Sequence, residues 1–257
     1  MTTLTLDADH RCEFRDTPWD QRAFGYPTRE LMAVAYTNAA RLPELLAAYE
    51  ARNHADGVGL GYSRVDANDR VLIHALNDQG YRAVEHSFAL ALSALNYFYP
   101  ENSFGKTLDL RPIVPEDVPA VQDIGANDFL YGRFIEDDRI PHDACQRRQR
   151  NWVADMVASP AFTIWVHGDI GAPLGFHAFR LQPDNHAQMV LSGMAAKYQP
   201  LAGFFWASCL HEKGKQGIQT VSTMIAAANL PIVNLYARFG FRFDQFLVGL
   251  HKHYRAS

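Results

Sequence analysis

Tyr236 and Asn229 are the side chains whose types and spacing best suit a chemical step. A phenol of pKa about 10 stays protonated at neutral pH and can donate its proton to a departing thiolate, whose thiol has a pKa of about 8.5. Asn229 follows an apolar run and precedes Pro231, which predicts a strand end and then a helix start. The N–H groups of that start face the carboxyl end of the strand, where ligands of open sheets bind. The alternative is a core tyrosine and a helix cap.

The elements that position these residues follow a clear order in the C-terminal half. Three alternating segments predict an antiparallel meander, and helices separate the strands that follow. We therefore expect an α/β (α+β) fold, with a mixed, mostly antiparallel sheet flanked by helices. The predicted strands are 108–113, 162–167, 174–181, 187–196, 218–225 and 241–250, and the predicted helices start at Pro115, at Asp143 after Pro141, at 203 (to 214) and at 231 (to 239).

The segment from Thr223 to Phe241 resembles the acceptor-side motif of the GNAT superfamily of acyl-coenzyme-A transferases. In that family an Asn follows a strand, and a Tyr seven positions later precedes a Gly-aromatic helix stop. Asn229, Tyr236, Gly240 and Phe241 match this order and spacing. The resemblance implies an N-acetyltransferase that moves an acetyl group from acetyl-coenzyme A to a primary amine, with Tyr236 as the general acid.

The same superfamily binds the cofactor pyrophosphate in a Gly-rich turn between a strand and a helix. Gln199, Ala202 and Gly203 echo that pattern, whereas Pro200 removes a backbone donor and Phe204 replaces a small residue. A backbone N–H near 194–196 is expected to polarise the thioester carbonyl. The resemblance thus implies these contacts to coenzyme A: Met194, Ala196, Gln199, Ala202, Gly203, Asn229 and Asn234.

A closer resemblance extends over most of the chain, to the nucleotide-sugar amine N-acetyltransferases related to dTDP-fucosamine acetyltransferase. It rests on the Trp-Asp then Phe-Gly pattern of 18–25, on the opening Leu110–Asp117, and on the loop 131–141 with its Arg-Phe and Asp-x-Arg pairs. The arginines suit a diphosphate or carboxylate and the aspartates an ammonium group, unless the charges pair with each other. The predicted acceptor contacts are Tyr131, Arg133, Asp137, Arg139 and His177, the last because it points away from its apolar neighbours toward solvent or the cleft.

The general base stays open at this level. An amine must lose a proton before it attacks, and several groups near the predicted acceptor site can accept it. The candidates are Glu136, Asp137, His177, His186 and a water held by backbone carbonyls.

The N-terminal half is predicted to be a smaller, partial GNAT-like domain without chemistry. Segments 75–82 and 235–242 both show a helix end, a glycine stop, an aromatic residue and a strand. Leu76 stands where the second segment has Tyr236, and leucine cannot donate a proton. With a junction at 97–106, the predicted domains are 1–100 and 107–257.

Composition narrows the function classes further. The net charge of -4 argues against nucleic acid, and the absence of long apolar runs argues against a membrane. Three cysteines without CxxC spacing predict neither disulfides nor zinc, and the alternating 251–254 segment is interpreted as surface rather than metal site. We expect a cytoplasmic enzyme with a small-molecule amine substrate; the oligomeric state stays open, with a homodimer as one option. The alternatives are a non-catalytic GNAT-like module, or an acyltransferase for another amine or a longer acyl chain, since 204–206 could reshape the cofactor tunnel.

Overall fold

The computed structural model describes residues 1–95, 98 and 107–255. Its α-helices are α1 Pro18–Phe24, α2 Leu42–Ala55, α3 Arg70–Asp78, α4 Val118–Asn127, α5 His142–Ala158, α6 Ala202–Lys215 and α7 Leu230–Arg238. Its strands are β1 Thr2–Thr5, β2 Arg11–Asp16, β3 Thr28–Ala35, β4 Leu60–Asp66, β5 Arg82–Leu92, β6 Arg111–Pro112, β7 Thr163–Asp169, β8 Ala172–Gln182, β9 His186–Met194, β10 Thr220–Ala226 and β11 Arg242–His253.

The predicted fold class is confirmed: strands pair mostly antiparallel, and helices alternate with them along the chain. Within the described residues, no helix combines the length and the apolar character that crossing a bilayer requires. Two local predictions were wrong. The strand expected at 108–113 is only Arg111–Pro112, and Asp143 lies in the first turn of α5 instead of capping it.

Packing divides the chain into two compact units. Unit 1 comprises Met1–Ser87, Gly132–Ala144 and Gln245–Ser257, and unit 2 comprises Phe88–Tyr131 and Cys145–Asp244. The predicted junction at 97–106 lies outside the described residues except for Phe98. The predicted domains 1–100 and 107–257 stay a prediction.

Unit 2 is built on the meander β7–β8–β9, with β6 paired to β7 and β10 paired parallel to β9. Alternate residues of each strand face opposite sides, so one sheet buries two cores. Ile164 and Phe176 pack with α4 and α5, whereas Trp165 and Phe179 pack with α6 and α7. The sheet is therefore covered on both faces.

The strands β9 and β10 pair over only part of their length. Thr220 to Ser222 lie opposite His186 to Gln188, and both strands continue beyond these pairs, to Met194 and Ala226. The helices α6 and α7 begin after the carboxyl ends of these two strands. The strands therefore form a wedge at the edge toward which two helix N-termini point, which is where open sheets bind ligands.

Unit 1 repeats part of this topology. In the order β3–α2–β4–α3–β5, the strands β3 and β4 pair parallel from Thr28 to Leu31 only, although β3 continues to Ala35. β4 pairs antiparallel with β11 on its other side. The core of the unit joins residues from β2, α2, α3 and β11, including Phe14, Tyr49 and Leu76.

The helices α3 of unit 1 and α7 of unit 2 end with the same hydrogen-bond pattern. Tyr81 N donates to Leu76 O at 3.0 Å, and Phe241 N donates to Tyr236 O at 3.0 Å. In each case the donor residue directly follows a glycine of positive φ, +88° at Gly80 and +83° at Gly240. A residue with a side chain would be strained at this φ. This equivalence agrees with the repeat predicted from the sequence.

Candidate functional site

Tyr236 places its hydroxyl at the wedge between β9 and β10. It lies in the last turn of α7 and is only 3% exposed. Its hydroxyl oxygen accepts a hydrogen bond from Trp206 Nε1 at 3.0 Å and is also hydrogen-bonded to the Thr223 side chain. Thr223 is the first residue of β10 after its last pair with β9. The phenol thus sits at the point where the two strands begin to diverge.

The protonation state of Tyr236 suits an acid. Burial raises the pKa of its hydroxyl above the usual value of about 10, although hydrogen bonds from Trp206 and Thr223 act in the opposite direction. The group is therefore protonated throughout the neutral range. The same two hydrogen bonds would stabilise the phenolate left behind after proton donation.

Asn229 acts as the N-cap of α7, as its sequence context predicts. Its side-chain oxygen accepts from Ile232 N at 3.4 Å, and the helix carries a proline in its first turn. Asn234, four residues into the helix, is exposed. The side-chain oxygen of Asn229 is therefore used by the helix start, while its position still marks the carboxyl end of β10.

The segment predicted to hold the pyrophosphate is helical instead of a Gly-rich turn. Residues 196–201 form a 3₁₀ helix with Pro200 inside it, and this helix continues directly into α6. Ala202 N, one of the expected donors, bonds to Gln199 O within this segment. Gly203 is partly exposed at the start of α6, and Ala196 and Gln199 are exposed.

The stretch expected to polarise the thioester, 194–196, begins at the last residue of β9. Met194 is buried and pairs with Gly175 in the register of β8 and β9. The next residue, Ala195, donates its N–H to Leu174 O at 3.0 Å. Of this stretch, the N–H of Ala195 is thus already committed to the sheet.

His177 lies in the core of unit 2, contrary to the expectation that it faces solvent or the cleft. It is 1% exposed, because it lies on the central strand β8 between Trp165 of β7 and Ser192 of β9. Its Nδ1 lies 2.6 Å from Ser192 Oγ and its Nε2 lies 2.6 Å from Lys213 Nζ. Burial, and then the charge of Lys213, hold the pKa of His177 well below its usual value.

Lys213 is the unexpected partner in this cluster. It is 0% exposed, and its ammonium group lies over the rings of Phe179 at 3.8 Å and Trp165 at 4.3 Å. Burial lowers the pKa of Lys213 to about 7. The sequence did contain a signal: this lysine continues the apolar stripe of α6 at helical spacing from Trp206 and Cys209.

We expect Lys213 to make folding stability depend on pH. Its folded pKa lies below its unfolded value, so between the two the unfolded chain binds more protons and stability rises with pH. The expected slope is about 1 kcal/mol per pH unit between about pH 7 and 8.5, measured by urea unfolding. Above that window, the raised pKa of the buried Cys209 thiol acts in the opposite direction.

The control is Lys213→Met, which keeps a long unbranched side chain packed on the rings of Phe179 and Trp165. The unfolding free energy of the wild type minus that of the variant should rise with pH at this slope, because the contributions of all other titrating groups cancel in the difference. Equal slopes in the two proteins would show that Lys213 does not titrate in this range.

The predicted acceptor residues do not belong to one unit. Tyr131 is in unit 2 and 37% exposed, whereas Arg133, Asp137 and Arg139 lie in unit 1. The guanidinium of Arg133 pairs with Glu30 at 3.1 Å. It also lies over the rings of Tyr62 at 4.4 Å and Phe134 at 5.0 Å. This arginine is thus paired and stacked within unit 1.

Asp137 joins Arg139 to two histidines of β11. Its Oδ1 accepts from Arg139 Nε at 3.0 Å, and its Oδ2 lies 2.8 Å from both His251 Nδ1 and His253 Nε2. These bonds hold the pKa of Asp137 far below its usual value in spite of burial. The interpretation of 251–254 as surface was wrong for His251, which is 0% exposed, because Asp137 packs against its strand face.

The other candidate bases have local partners. Glu136 Oε1 accepts from Gly132 N at 2.8 Å, which closes the turn that begins the 132–144 segment. His186 Nε2 lies 2.7 Å from Ser222 Oγ at the paired end of β9 and β10. Neither contact selects one of them as the base.

Comparisons with known proteins place the fold. No family model matches the sequence, and no curated protein matches it. Among solved structures, a GCN5-related N-acetyltransferase from Sphaerobacter thermophilus superposes with a TM-score of 0.66 at 12% identity, covering 98% of this chain and 78% of that one. A functionally unknown conserved protein from Staphylococcus epidermidis gives 0.68 at 12% identity, with 98% and 94% coverage. A tandem GNAT protein from the clavulanic acid biosynthesis pathway gives 0.60 at 15% identity, with 91% and 77% coverage. The chain therefore has the fold of the GCN5-related N-acetyltransferases.

Proposed function

We propose that this chain is an N-acetyltransferase that uses acetyl-coenzyme A and acts on a primary amine. The observation that carries the proposal is the phenol of Tyr236 at the divergence of two parallel strands, held there by Trp206 and Thr223. A wedge of this kind exposes strand edges on which an amide-containing arm such as pantetheine can form hydrogen bonds. Fold alone does not fix the chemistry, so the proposal depends on this site.

The reaction assigns one clear task to Tyr236. The neutral amine nitrogen attacks the thioester carbonyl carbon, the C–N bond forms, and the C–S bond breaks as its electron pair goes to sulfur. Tyr236 donates its proton to that sulfur, and the phenolate regains a proton from the solvent or from the nitrogen. Positioning of the two reactants supplies much of the remaining rate enhancement.

For the acceptor, we propose a nucleotide-linked amino sugar as the class to test first. Support comes from the sequence patterns at 18–25 and 131–141 that resemble the sugar-amine N-acetyltransferases. In the structure, Asp20 of the first pattern is buried and receives a hydrogen bond from the Tyr62 hydroxyl. The arginine at 133 is already paired, so an acidic acceptor group would have to compete with Glu30.

A non-catalytic module with this fold is the second candidate. Two observations favour it: the 3₁₀ helix with Pro200 where a phosphate turn is expected, and the burial of the Tyr236 side chain. Phe205 and Trp206, which we expected to reshape the cofactor tunnel, are core residues of unit 2. A module of this kind would bind no acetyl-coenzyme A.

Calorimetric titration of acetyl-coenzyme A into the full chain separates the two candidates. We expect a dissociation constant between about 1 μM and 1 mM, the range in which enzymes bind their substrates. Gly203→Glu should weaken binding at least about tenfold, since a carboxylate at the start of α6 repels the pyrophosphate. Gln216→Glu adds the same charge at the exposed far end of α6 and should bind like the wild type.

Absence of binding heat in the wild type at millimolar ligand would contradict the acetyltransferase and support the module. Equal weakening in both variants would place the cofactor away from the start of α6. An amine panel with amino-sugar nucleotides, polyamines and free amino sugars then identifies the acceptor.

A further inference from the structure

Asp137, His251 and His253 form a compact donor cluster that the sequence hides. His251 and His253 are two residues apart on β11, so both side chains project from one face of the strand. Asp137 comes from the 132–144 segment of the same unit, more than a hundred positions earlier in the chain. One ligand atom from each residue lies within 4.8 Å of the others.

The buried imidazole of His251 has few polar partners. Its Nδ1 shares the Asp137 Oδ2 atom with His253. Its Nε2 is buried and has no hydrogen-bond partner in the part of the chain that the structure describes. A buried polar atom without a partner costs about 1–3 kcal/mol. Within the described residues, the hydrogen bonding of the buried ring thus rests on one Asp137 oxygen atom that it shares with His253.

The distances suit a divalent metal ion. Bonds from such an ion to imidazole nitrogen and carboxylate oxygen are about 2.0–2.2 Å long. Two ligand atoms at right angles on that sphere lie about 2.9 Å apart, and at the tetrahedral angle about 3.4 Å apart. The observed 2.8 Å between Asp137 Oδ2 and each histidine nitrogen matches the first case. Each aspartate–histidine pair thus fits neighbouring positions of a five- or six-coordinate site, with further positions left for water.

Neighbouring residues orient Asp137 and pack against His251. Arg139 donates its Nε at 3.0 Å and its backbone N at 3.1 Å to Asp137 Oδ1, which directs Oδ2 toward the histidines. The rings of Tyr62 and Phe134 pack against the His251 ring, with centroid distances of 5.9 Å and 5.3 Å. Outer partners of this kind fix the rotamers of metal ligands. The His253 side chain is 14% exposed, which provides a path of entry.

We propose that Asp137, His251 and His253 bind one divalent cation of the Zn²⁺ class, which ties the 132–144 segment to β11. Two imidazoles and one carboxylate favour borderline transition metals over Ca²⁺ or Mg²⁺, which prefer oxygen ligands alone. The ion stabilises unit 1 by joining two stretches that are distant in the sequence. This site shares no residue with the proton donation proposed for Tyr236, although Asp137 belongs to the 131–141 pattern.

The test is zinc titration of chelator-treated full-length protein by calorimetry, with unfolding temperature measured in parallel. The wild type should bind one Zn²⁺ per chain and unfold at higher temperature when zinc is present. His253→Gln and Asp137→Asn should each weaken zinc binding at least about tenfold, because a ligand is lost while the hydrogen-bonding shape is kept. Co²⁺ in place of Zn²⁺ should give visible absorption bands in the wild type only.

The matched control is His167→Gln, a histidine on β7 whose Nδ1 contacts a backbone oxygen. It should bind zinc like the wild type, which separates the proposed site from weak binding at surface histidines. Circular dichroism verifies that each variant is folded before titration. If Asp137→Asn does not fold, the test rests on His253→Gln, whose side chain lies at the exposed edge of the cluster. Equal zinc affinity in the wild type and His253→Gln, or no zinc-dependent stabilisation of the wild type, would overturn the proposal.

Discussion

Tyr236→Phe is expected to lower the turnover number by at least about a hundredfold, while the affinity for acetyl-coenzyme A changes less than about threefold. Loss of a general acid typically costs a factor of about 10² to 10⁴ in rate, whereas a buried hydroxyl at this position contributes little to ground-state binding. The substitution keeps the ring in its contact with Phe241, 4.6 Å between centroids. Steady-state kinetics with a saturating amine, together with calorimetry of the cofactor, measure both quantities.

The matched control removes a phenol hydroxyl elsewhere in the chain. Tyr36→Phe loses a hydrogen bond to Asp69 in unit 1 and should retain full turnover. If Tyr236→Phe turns over like the wild type, the group is a core aromatic residue and the acid must be sought elsewhere. If it instead fails to bind the cofactor, its hydroxyl contributes to binding and the assigned role is wrong.

Local patterns sufficed to predict the scaffold of this site. The meander β7–β9, the helix α7 with its Asn229 cap, and the glycine stop before Phe241 follow from side-chain alternation, capping and positive φ, all of which act over a few residues. The fold class follows from the order of these elements. For the same reason, the equivalence of the helices α3 and α7 was visible in the sequence.

The contacts that join distant residues were beyond such reasoning. The Gly-rich turn expected at 199–203 became a 3₁₀ helix, because a proline with fixed φ is compatible with a helical turn and the segment runs directly into α6. Lys213 was overlooked because a lone lysine usually marks an exposed face. Asp137 was assigned to an acceptor, and only the tertiary packing brings it to His251 and His253.

The two buried ionic clusters have different electrostatic solutions. In unit 1, Asp137 keeps its charge because Arg139 and two histidines donate to it. In unit 2, Lys213 has a neutral histidine and two aromatic rings around its ammonium group, and its pKa falls to about 7. A cation stabilised only by rings and a neutral acceptor is close to losing its proton. The Asp137 cluster therefore suits a ligand of positive charge, whereas the Lys213 cluster is part of the packed core of unit 2.

Leu76→Ala is expected to lower the free energy of unfolding by about 2–5 kcal/mol without a specific loss of turnover. Leu76 is 0% exposed and packs in the core of unit 1, at the position that Tyr236 occupies in unit 2. Truncation there removes buried methyl groups and leaves a cavity, which is a packing cost and not a chemical one. Urea unfolding measures the loss, and kinetics at a temperature where both proteins are folded measure turnover.

The control for this variant is Val71→Ala, which truncates an exposed side chain on the same helix α3 and should change stability by less than about 0.5 kcal/mol. The pair separates burial from helix propensity, since both substitutions introduce alanine into one helix. A hundredfold loss of turnover in folded Leu76→Ala protein would show that unit 1 takes part in the chemistry. Unchanged turnover with the expected loss of stability would mean that the same helix position serves packing in one unit and proton donation in the other.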